Sequence, residues 1–214
     1  MRHASESRRN YIDSVNNIIN KYSQHPIDSY LDLGCGDGIR GDHIINNISP
    51  KFSTFVDPVL EVLQKAKSGL ANEYVCSPIH SLQLNKKYDI ITCLWNVFGH
   101  IETNQLRLDS LSVIYDLMSE GGVFIIDFNN RYNISQYGKI PVLTNIFKDL
   151  IKVRNRGWYS LSNNCQVYIH SFLETHKMIN QTPFKIKKIF YIDYNTGNIV
   201  KSKWRGQPLY ILTK

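Results

Sequence analysis

The 214-residue sequence predicts an α/β protein built on a doubly wound sheet with helices on both faces. Two observations predict this fold. Short apolar segments alternate with helical segments from residue 29 to residue 128, and two of them, Asp89–Leu94 and Val123–Ile126, are largely continuous apolar runs. Continuous apolar runs are typical of parallel strands that helices cover on both faces. Strands that alternate with helices along the chain give such a sheet its doubly wound order.

The first part of the chain shows the alternation clearly. An amphipathic helix over Ser7–Tyr22 carries apolar residues at helical spacing and precedes the first strand. The predicted strands are Ser29–Leu33, Ser53–Val56, Glu73–Cys76, Tyr88–Leu94 and Gly122–Phe128, and the helices between them are Ile39–Ile48, Pro58–Ser68 and Asn104–Met118.

The pattern is less regular after residue 128. We predict a helix at Val142–Arg154, a strand at Cys165–His170, a helix at Ser171–Asn180, and closing strands at Phe184–Tyr194 and Pro208–Leu212. The segment Asn195–Asn198 between the closing strands is a strong turn signal. We expect one domain over residues 1–214, with an N-terminal helical cap at 1–27 and an insertion near the site at 134–170.

The charge of the chain is unevenly distributed. Residues 1–130 contain 11 Lys and Arg against 15 Asp and Glu, whereas residues 131–214 contain 14 against 3. The basic C-terminal part favours an anionic partner, such as RNA, a phosphorylated metabolite or an acidic small molecule. A generic basic surface explains the same asymmetry without a polyanion.

Several classes of protein are excluded by what the sequence lacks. No apolar run approaches the roughly 20 residues of a membrane-spanning helix, and the charged segment 1–9 has no following apolar core typical of a secretory signal. The four cysteines have no paired spacing that indicates a zinc site or a redox dithiol. We therefore expect a cytoplasmic protein with reduced, mostly buried cysteines, no membrane partner and no metal.

A glycine-rich turn follows the first strand. Gly34, Gly36 and Gly38 lie between a buried strand and a helix, where they allow a tight turn and let the backbone approach a ligand. Gly36–Gly41 also satisfies the G-x-G-x-x-G pattern of dinucleotide-binding proteins. That pattern begins where the strand ends, however, and here the strand ends at Gly34, so the match is out of register.

The string Leu31-Asp32-Leu33-Gly34-Cys35-Gly36-Asp37-Gly38 closely resembles the class I S-adenosylmethionine-dependent methyltransferase family. The resemblance implies a Rossmann-like, seven-stranded sheet whose last strand is antiparallel, and S-adenosylmethionine as cofactor. It also implies that Asp32 helps to hold the methionine end of the cofactor and that Asp57, at the end of strand two, accepts hydrogen bonds from the ribose hydroxyls. Asp57 could also cap the helix that begins at Pro58, and the two roles are compatible.

The resemblance implies further cofactor and catalytic residues. Many relatives have an Asp after strand three that binds the adenine amine; this chain has Ser77 and Pro78 there instead. Strand four ends in a segment that resembles the one in glycine and sugar-amine N-methyltransferases, and it places Asn96 and His100 beside the methyl group. The full cofactor set is Asp32, Gly34, Cys35, Gly36, Gly38, Asp57, Pro58, Ser77, Pro78, Leu94, Trp95 and Asn96.

The polar segment after strand five and the last connection form the expected substrate wall, because loops at this edge of the sheet build the pocket. The predicted substrate-binding residues are Tyr11, Asn129, Arg131, Tyr132, Trp204 and Arg205. His100 and Asp127 are candidate general bases for a hydroxyl acceptor. For His100 a buried, hydrogen-bonded structural histidine is an equally good interpretation.

The resemblance therefore predicts an enzyme that transfers a methyl group to an N or O atom of a small anionic metabolite. Transfer would proceed by direct attack of the acceptor on the sulfonium methyl, with the protein supplying alignment and exclusion of water. Two alternatives remain open at this point. One is an RNA (tRNA) methyltransferase, and the other is an NAD-dependent oxidoreductase or a non-catalytic cofactor-fold binding protein.

Overall fold

The computed structural model describes residues 5–23, 26–67, 69–161 and 165–214. The strands are β1 (Ser29–Leu33), β2 (Phe52–Asp57), β3 (Glu73–Cys76), β4 (Tyr88–Cys93), β5 (Met118–Asp127), β6 (Trp158–Ser160), β7 (Gln166–Tyr168), β8 (Lys185–Ile192), β9 (Ile199–Val200) and β10 (Gln207–Thr213). The α-helices are α1 (Glu6–Tyr22), α2 (Ile39–Ile48), α3 (Leu60–Ala66), α4 (Asn104–Leu117), α5 (Ile134–Tyr137), α6 (Lys139–Leu150) and α7 (Phe172–Ile179).

Eight strands form the main sheet, in the order β3-β2-β1-β4-β5-β10-β8-β9. β1 to β5 pair in parallel, so their carboxyl ends meet at one edge. β10 is antiparallel to both of its neighbours, β5 and β8. The predicted doubly wound sheet with an antiparallel last strand is therefore confirmed.

The sheet has one strand more than the seven predicted. The carboxylate of Asp193 accepts hydrogen bonds from the backbone N–H groups of Asn195 and Thr196 at 3.0 Å, which closes the predicted turn tightly. The chain then returns along β8 and forms the two-residue strand β9 at the edge. A two-residue strand leaves no hydrophobic pattern in the sequence, so the extra strand could not be predicted from periodicity.

Helices cover both faces of the sheet, and successive strand residues enter different cores. Tyr30 and Ile90 pack with α1, α2 and α3 on one face. Leu31 and Ile91 pack with α4 and α7 on the other face. This alternation explains why the central strands are apolar throughout, because each of their side chains is buried on one face or the other.

Several predicted bounds differ from those of the structure. α3 begins at Leu60 rather than Pro58, because the Asp57 carboxylate takes the N–H of Val59 in a local turn before the helix. α6 begins three residues earlier than predicted and ends at Leu150. Two cysteines, Cys76 and Cys165, are exposed. Cys76 ends the outermost strand β3 and Cys165 lies just before β7, so the expectation of mostly buried cysteines is wrong.

Parts of three predicted segments lie outside the described residues: 1–4 and 24–25 of the N-terminal cap, Ser68 at the predicted end of a helix, and 162–164 of the insertion. Among the helices that the structure describes, none is long and apolar enough to cross a membrane.

Candidate functional site

The glycine-rich turn connects β1 to α2 at the carboxyl edge of the sheet. Gly34, Gly36 and Gly38 all have positive φ values, of 72°, 57° and 76°, which only glycine adopts without strain. The N–H groups of Gly34 and Cys35 both donate to the carbonyl of Val56, at 2.8 and 3.0 Å. A Cβ at Gly36 would meet no atom within 4 Å. The turn therefore leaves open space above its centre.

Asp57, at the end of β2, faces this turn. One of its carboxylate oxygens accepts the N–H of Gly36 at 3.0 Å and the other accepts the N–H of Val59 at 2.9 Å. Asp57 is not the N-cap of α3, because that position is held by Val59. Each carboxylate oxygen has a second lone pair. The side chain can therefore accept further hydrogen bonds from a ligand.

Asp32 lies beneath the turn, in the last part of β1. Its side chain is buried and accepts a hydrogen bond from the Thr92 hydroxyl at 2.8 Å, and Tyr30 is hydrogen bonded to the same Thr92 hydroxyl. Burial raises the pKa of Asp32 to about 6, although the Thr92 hydrogen bond and the charge of Arg40 lower it in part. Asp32 is thus a charged group in an environment that disfavours its charge.

The segment after β4 is held in an unusual conformation. Trp95 and Asn96 have φ values of 69° and 57°, the left-handed region that costs energy for side chains other than glycine. The Asp127 carboxylate accepts the N–H of Asn96 at 2.9 Å, and the Asn96 side-chain oxygen accepts the N–H of Asn129 at 3.0 Å. Asp127 also accepts the Tyr11 hydroxyl at 3.1 Å. The carboxylate thus ties α1, the β4 loop and β5 together.

These elements enclose a cavity of about 700 Å³. The cavity is lined by residues of α1, the glycine turn, the start of α2, the end of β2 and the β4 loop. Its lining residues are Arg8, Ile12, Gly34, Cys35, Gly36, Asp37, Ile39, Arg40, Asp57, Pro58, Val59, Leu94, Trp95, Val97 and His100.

The two arginines of the cavity converge on Trp95. The guanidinium carbons of Arg8 and Arg40 lie 4.8 and 5.3 Å from the centroid of the indole ring. All three guanidinium nitrogens of Arg40 are buried, and they have no hydrogen-bond partner among the described residues. A buried cation without hydrogen bonds is costly, and a bound anionic group would relieve this cost.

His100 ends a single 3₁₀ turn, residues 97–100, and lies on the cavity wall. Partial removal of its ring from water lowers its pKa below the ordinary value. The imidazole is therefore neutral at pH 7 and able to accept a proton. The structure does not bury this residue, so the alternative of a buried structural histidine does not describe it.

Some predicted site residues lie outside the cavity lining. Ser77 donates its hydroxyl to the carbonyl of the next residue, Pro78, at 3.0 Å. Asp127 is buried with its oxygens engaged as described and does not line the cavity; burial raises its pKa and the nearby Arg40 partly lowers it. Also outside the lining of this cavity are Tyr11, Asp32, Gly38, Pro78, Asn96 and Asn129.

Arg131 and Tyr132 belong to a buried ionic cluster rather than to the cavity. The Arg131 guanidinium donates to Asp149 and Glu174, and also to the carbonyl of Ile169 at 2.9 Å. The Tyr132 hydroxyl donates to Asp149. Arg131 is only 2% exposed. Its donors are thus committed to the protein, and Arg131 lies outside the linings of this cavity and of a second one.

Trp204 and Arg205 lie at a second cavity of about 760 Å³. Trp204 stacks on Tyr132, with ring centroids 5.7 Å apart and an interplanar angle of 17°. The second cavity is mostly apolar and lies between α5, α6 and the connection before β10. Its lining residues are Ile134, Ser135, Lys139, Val142, Leu143, Ile146, Ser202, Trp204 and Arg205.

Comparison with known proteins indicates the class of enzyme. Residues 31–124, which contain the glycine turn, Asp57 and the β4 loop, match a family model described as a methyltransferase domain. The chain also matches the crystal structure of an S-adenosylmethionine-dependent methyltransferase from Clostridium acetobutylicum, with a TM-score of 0.70, 18% identity, and coverage of 96% of this chain and 91% of that one. The matched segment is therefore a methyltransferase domain. The predicted enzyme class, an S-adenosylmethionine-dependent methyltransferase, is confirmed.

Two curated methyltransferases are similar in sequence. The ubiquinone biosynthesis O-methyltransferase of Rickettsia canadensis is 25% identical over 198 residues, which cover 88% of this chain and 76% of the relative. The glycine/sarcosine N-methyltransferase of Aphanothece halophytica is 26% identical over 121 residues, or 53% of this chain and 44% of the relative. The relatives thus include methyltransferases named for oxygen and for nitrogen.

Sequence reasoning missed the two arginines of this methyltransferase's cavity. Arg8 lies on the same face of α1 as Ile12, one turn away, and the periodicity of the helix could have indicated it. Arg40 is in the first turn of α2, two residues after Gly38, where side chains lie close to a ligand of the turn.

Proposed function

We propose that the first cavity binds S-adenosylmethionine and that the chain, acting as one cytosolic domain, transfers the methyl group to an N or O atom of a small anionic acceptor. The unpartnered Arg40 guanidinium carries this proposal, because the amino-acid end of the cofactor offers the carboxylate that it lacks. Asp57 would accept hydrogen bonds from the ribose hydroxyls. The open space above Gly36 would admit the part of the ligand that lies against the backbone of the turn. Trp95, Leu94 and Pro58 offer apolar surface to the adenine.

When bound, the cofactor supplies a sulfonium methyl group that an acceptor nitrogen or oxygen attacks. The protein aligns the two reactants and excludes water, which is the main contribution expected for such a transfer. His100 takes the proton that a hydroxyl acceptor loses as the new bond forms. An amine acceptor that reaches the site unprotonated needs no such base before the attack.

The cofactor part of the proposal is tested by comparing two ligands. S-adenosylhomocysteine carries the amino-acid group, whereas 5′-methylthioadenosine lacks it. We expect Arg40→Met to weaken S-adenosylhomocysteine binding roughly tenfold to a hundredfold, as for a lost charge-assisted hydrogen bond, and to leave 5′-methylthioadenosine binding unchanged. Arg9→Met, which removes an exposed arginine of α1, is the matched control. Equal losses for both ligands would show that Arg40 does not bind the carboxylate.

The acceptor part rests on the second cavity. Its apolar walls, formed by Val142, Ile146 and Trp204, are accompanied by Lys139 and Arg205. Such a lining suits an acceptor with an apolar body and an anionic group. The named acceptor atoms of the relatives, oxygen in one and nitrogen in the other, support both forms of the reaction.

The acceptor is tested by transfer of a radiolabelled methyl group to a panel of anionic phenols and amines, with total tRNA as the alternative substrate. For an accepted small molecule, we expect Arg205→Gln to raise KM severalfold with kcat little changed, and Lys201→Gln, in the same loop but outside the cavity lining, to change neither. Transfer of label to tRNA would instead support the RNA methyltransferase. In that case tRNA binding should depend strongly on salt, and both variants should weaken it.

A further inference from the structure

Helix α6 has an exposed apolar stripe that the proposed reaction does not use. Its residues follow one another at spacings of three, four and three, and therefore occupy about a third of the helix circumference. They are Ile140, Leu143, Phe147 and Leu150, at 61% to 79% exposure, and Ile151 continues the stripe at 56%. The opposite face holds the helix to the protein, where Val142 packs with Tyr132 and Phe172.

Basic residues surround this stripe. Lys139 and Lys148 lie on either side of it and are exposed, and Lys152, Arg154 and Arg156 follow in the next turns of chain. Residues 139–156 contain five Lys and Arg and a single acidic residue, Asp149. Asp149 is bound to the buried Arg131 at 2.7 Å. The outer surface of the segment is therefore both apolar and positively charged.

We propose that α6 docks on an anionic lipid surface, with its apolar stripe in the interface and its lysines at the headgroups. An apolar face edged by lysines is typical of helices that lie in the membrane interface. With 12 residues, α6 is too short to span a bilayer, so it lies in the plane of the surface.

Charge complementarity favours lipid over the other occupants of such a stripe. A second copy of the chain would bring two basic segments together, which costs energy. RNA would satisfy the lysines but would leave Phe147, Leu150 and Ile140 in water. Of these three, the anionic bilayer offers partners to both kinds of side chain at once.

The docking also has a consequence for the second cavity. Lys139 and Leu143 belong both to the cavity lining and to the outer surface of α6. Docking of α6 therefore brings this cavity next to the lipid surface.

The test is flotation of the full chain with vesicles of phosphatidylglycerol and phosphatidylcholine, compared with vesicles of phosphatidylcholine alone. We expect flotation with the anionic vesicles, weakened by high salt, and little with the neutral ones. Leu150→Glu should reduce the vesicle partition coefficient roughly tenfold or more, and Lys148→Gln roughly fivefold. The control Leu70→Glu makes the same change at a half-exposed leucine before β3, at the opposite edge of the sheet, and should have no effect.

Circular dichroism and S-adenosylhomocysteine binding confirm that each variant is folded. No flotation of the wild-type chain with anionic vesicles would overturn the proposal, as would equal losses in Leu150→Glu and Leu70→Glu. A dimer in sedimentation velocity that Leu150→Glu abolishes, with no flotation, would assign the stripe to a second copy of the chain.

Discussion

Asp32 and Arg40 are charged side chains that the fold holds away from water on two sides of the glycine turn. Their charges partly compensate each other: the charge of Arg40 opposes the larger effect of burial on the pKa of Asp32. Groups of this kind cost stability in the ligand-free protein and gain partners when a zwitterionic ligand binds. At these two residues, ligand binding and the stability of the ligand-free protein therefore have opposite requirements.

The first prediction concerns this competition at Asp32. With a pKa raised from 3.8 to about 6, the carboxyl group contributes stability that is present below pH 3.8 and lost as pH rises through 6. Asp32→Asn should therefore raise the free energy of unfolding at pH 7 by about 2 to 3 kcal/mol and weaken S-adenosylhomocysteine binding. Thermal unfolding and calorimetry measure the two effects. A variant that is less stable than wild type, with the exposed Asp13→Asn as control, contradicts the prediction.

The second prediction concerns His100. Its lowered pKa keeps the ring neutral at pH 7, so with a hydroxyl acceptor kcat/KM should be constant near neutrality and fall as pH drops through the pKa of the histidine. His100→Gln should lower kcat by roughly 10²- to 10⁴-fold and remove this acidic fall. His43→Gln, an exposed histidine of α2 outside the cavity, should behave like wild type. Survival of the acidic fall in His100→Gln would assign the titration to another group.

Residue roles were predictable from the sequence where the partners are local. Gly34, Gly36 and Asp57 follow buried strands directly, and the edge of a parallel sheet brings them together. The partners of Asp127 and Arg131 could not be predicted, because Tyr11 and Glu174 are 116 and 43 residues away from them. A polar side chain at the edge of a sheet can serve a ligand or a distant element, and one sequence does not distinguish the two.

At the scale of elements, the β4 loop and the glycine turn are fitted to each other. A Cβ on Gly34 would lie 2.5 Å from a methyl group of Val97, so the loop can approach the turn only because residue 34 is glycine. The left-handed backbone at Trp95 and Asn96 is held by the hydrogen bond from Asn96 to Asp127. The strain is thus stabilised by β5 and α1, and it places Trp95 and His100 on the cavity wall.

The insertion after β5 depends on the ionic cluster around Arg131. The guanidinium binds Asp149 of α6 and Glu174 of α7, and Glu174 also completes a capping box with Ser171 at the start of α7. Sequence periodicity predicted a helix at α6 and at α7. It could not predict the cluster that joins them, since ion pairing leaves no periodic signal.

The third prediction follows from this cluster. Arg131→Met leaves two carboxylates without their partner, and we expect a loss of about 3 kcal/mol in the free energy of unfolding, as for a broken buried pair. Lys51→Met, which breaks the exposed pair with Asp28, should have no measurable effect. Denaturant unfolding at pH 7 makes the comparison. Equal stabilities of the Arg131→Met variant and wild type would show that the cluster contributes nothing.

The same cluster predicts the acid stability of the protein. Burial alone would raise the pKa of Glu174, but Arg131 outweighs it and holds the pKa at about 2. This group therefore contributes stability above its ordinary value of 4.5, and the contribution is lost as pH falls toward 2. In Arg131→Met the free energy of unfolding should therefore decrease less between pH 4.5 and pH 2 than it does in wild type.

At the scale of the whole molecule, the parallel strands bring two cavities and the basic insertion to one edge of the sheet. The sequence predicted the doubly wound sheet and the excess of positive charge after residue 130. It did not predict that part of this charge surrounds an exposed apolar helix face. Which face of α6 is buried depends on tertiary packing, and the sequence pattern does not show it. The second cavity, proposed to bind the acceptor, and the proposed lipid surface both depend on which face of α6 is buried.

The most direct test of the central claim is titration calorimetry of the full chain with S-adenosylhomocysteine, with NAD as the comparison. The unpartnered Arg40, the open glycine turn and Asp57 predict saturable binding of S-adenosylhomocysteine and no heat of binding with NAD. Tight binding of NAD without any response to S-adenosylhomocysteine would contradict the assignment of the cavity.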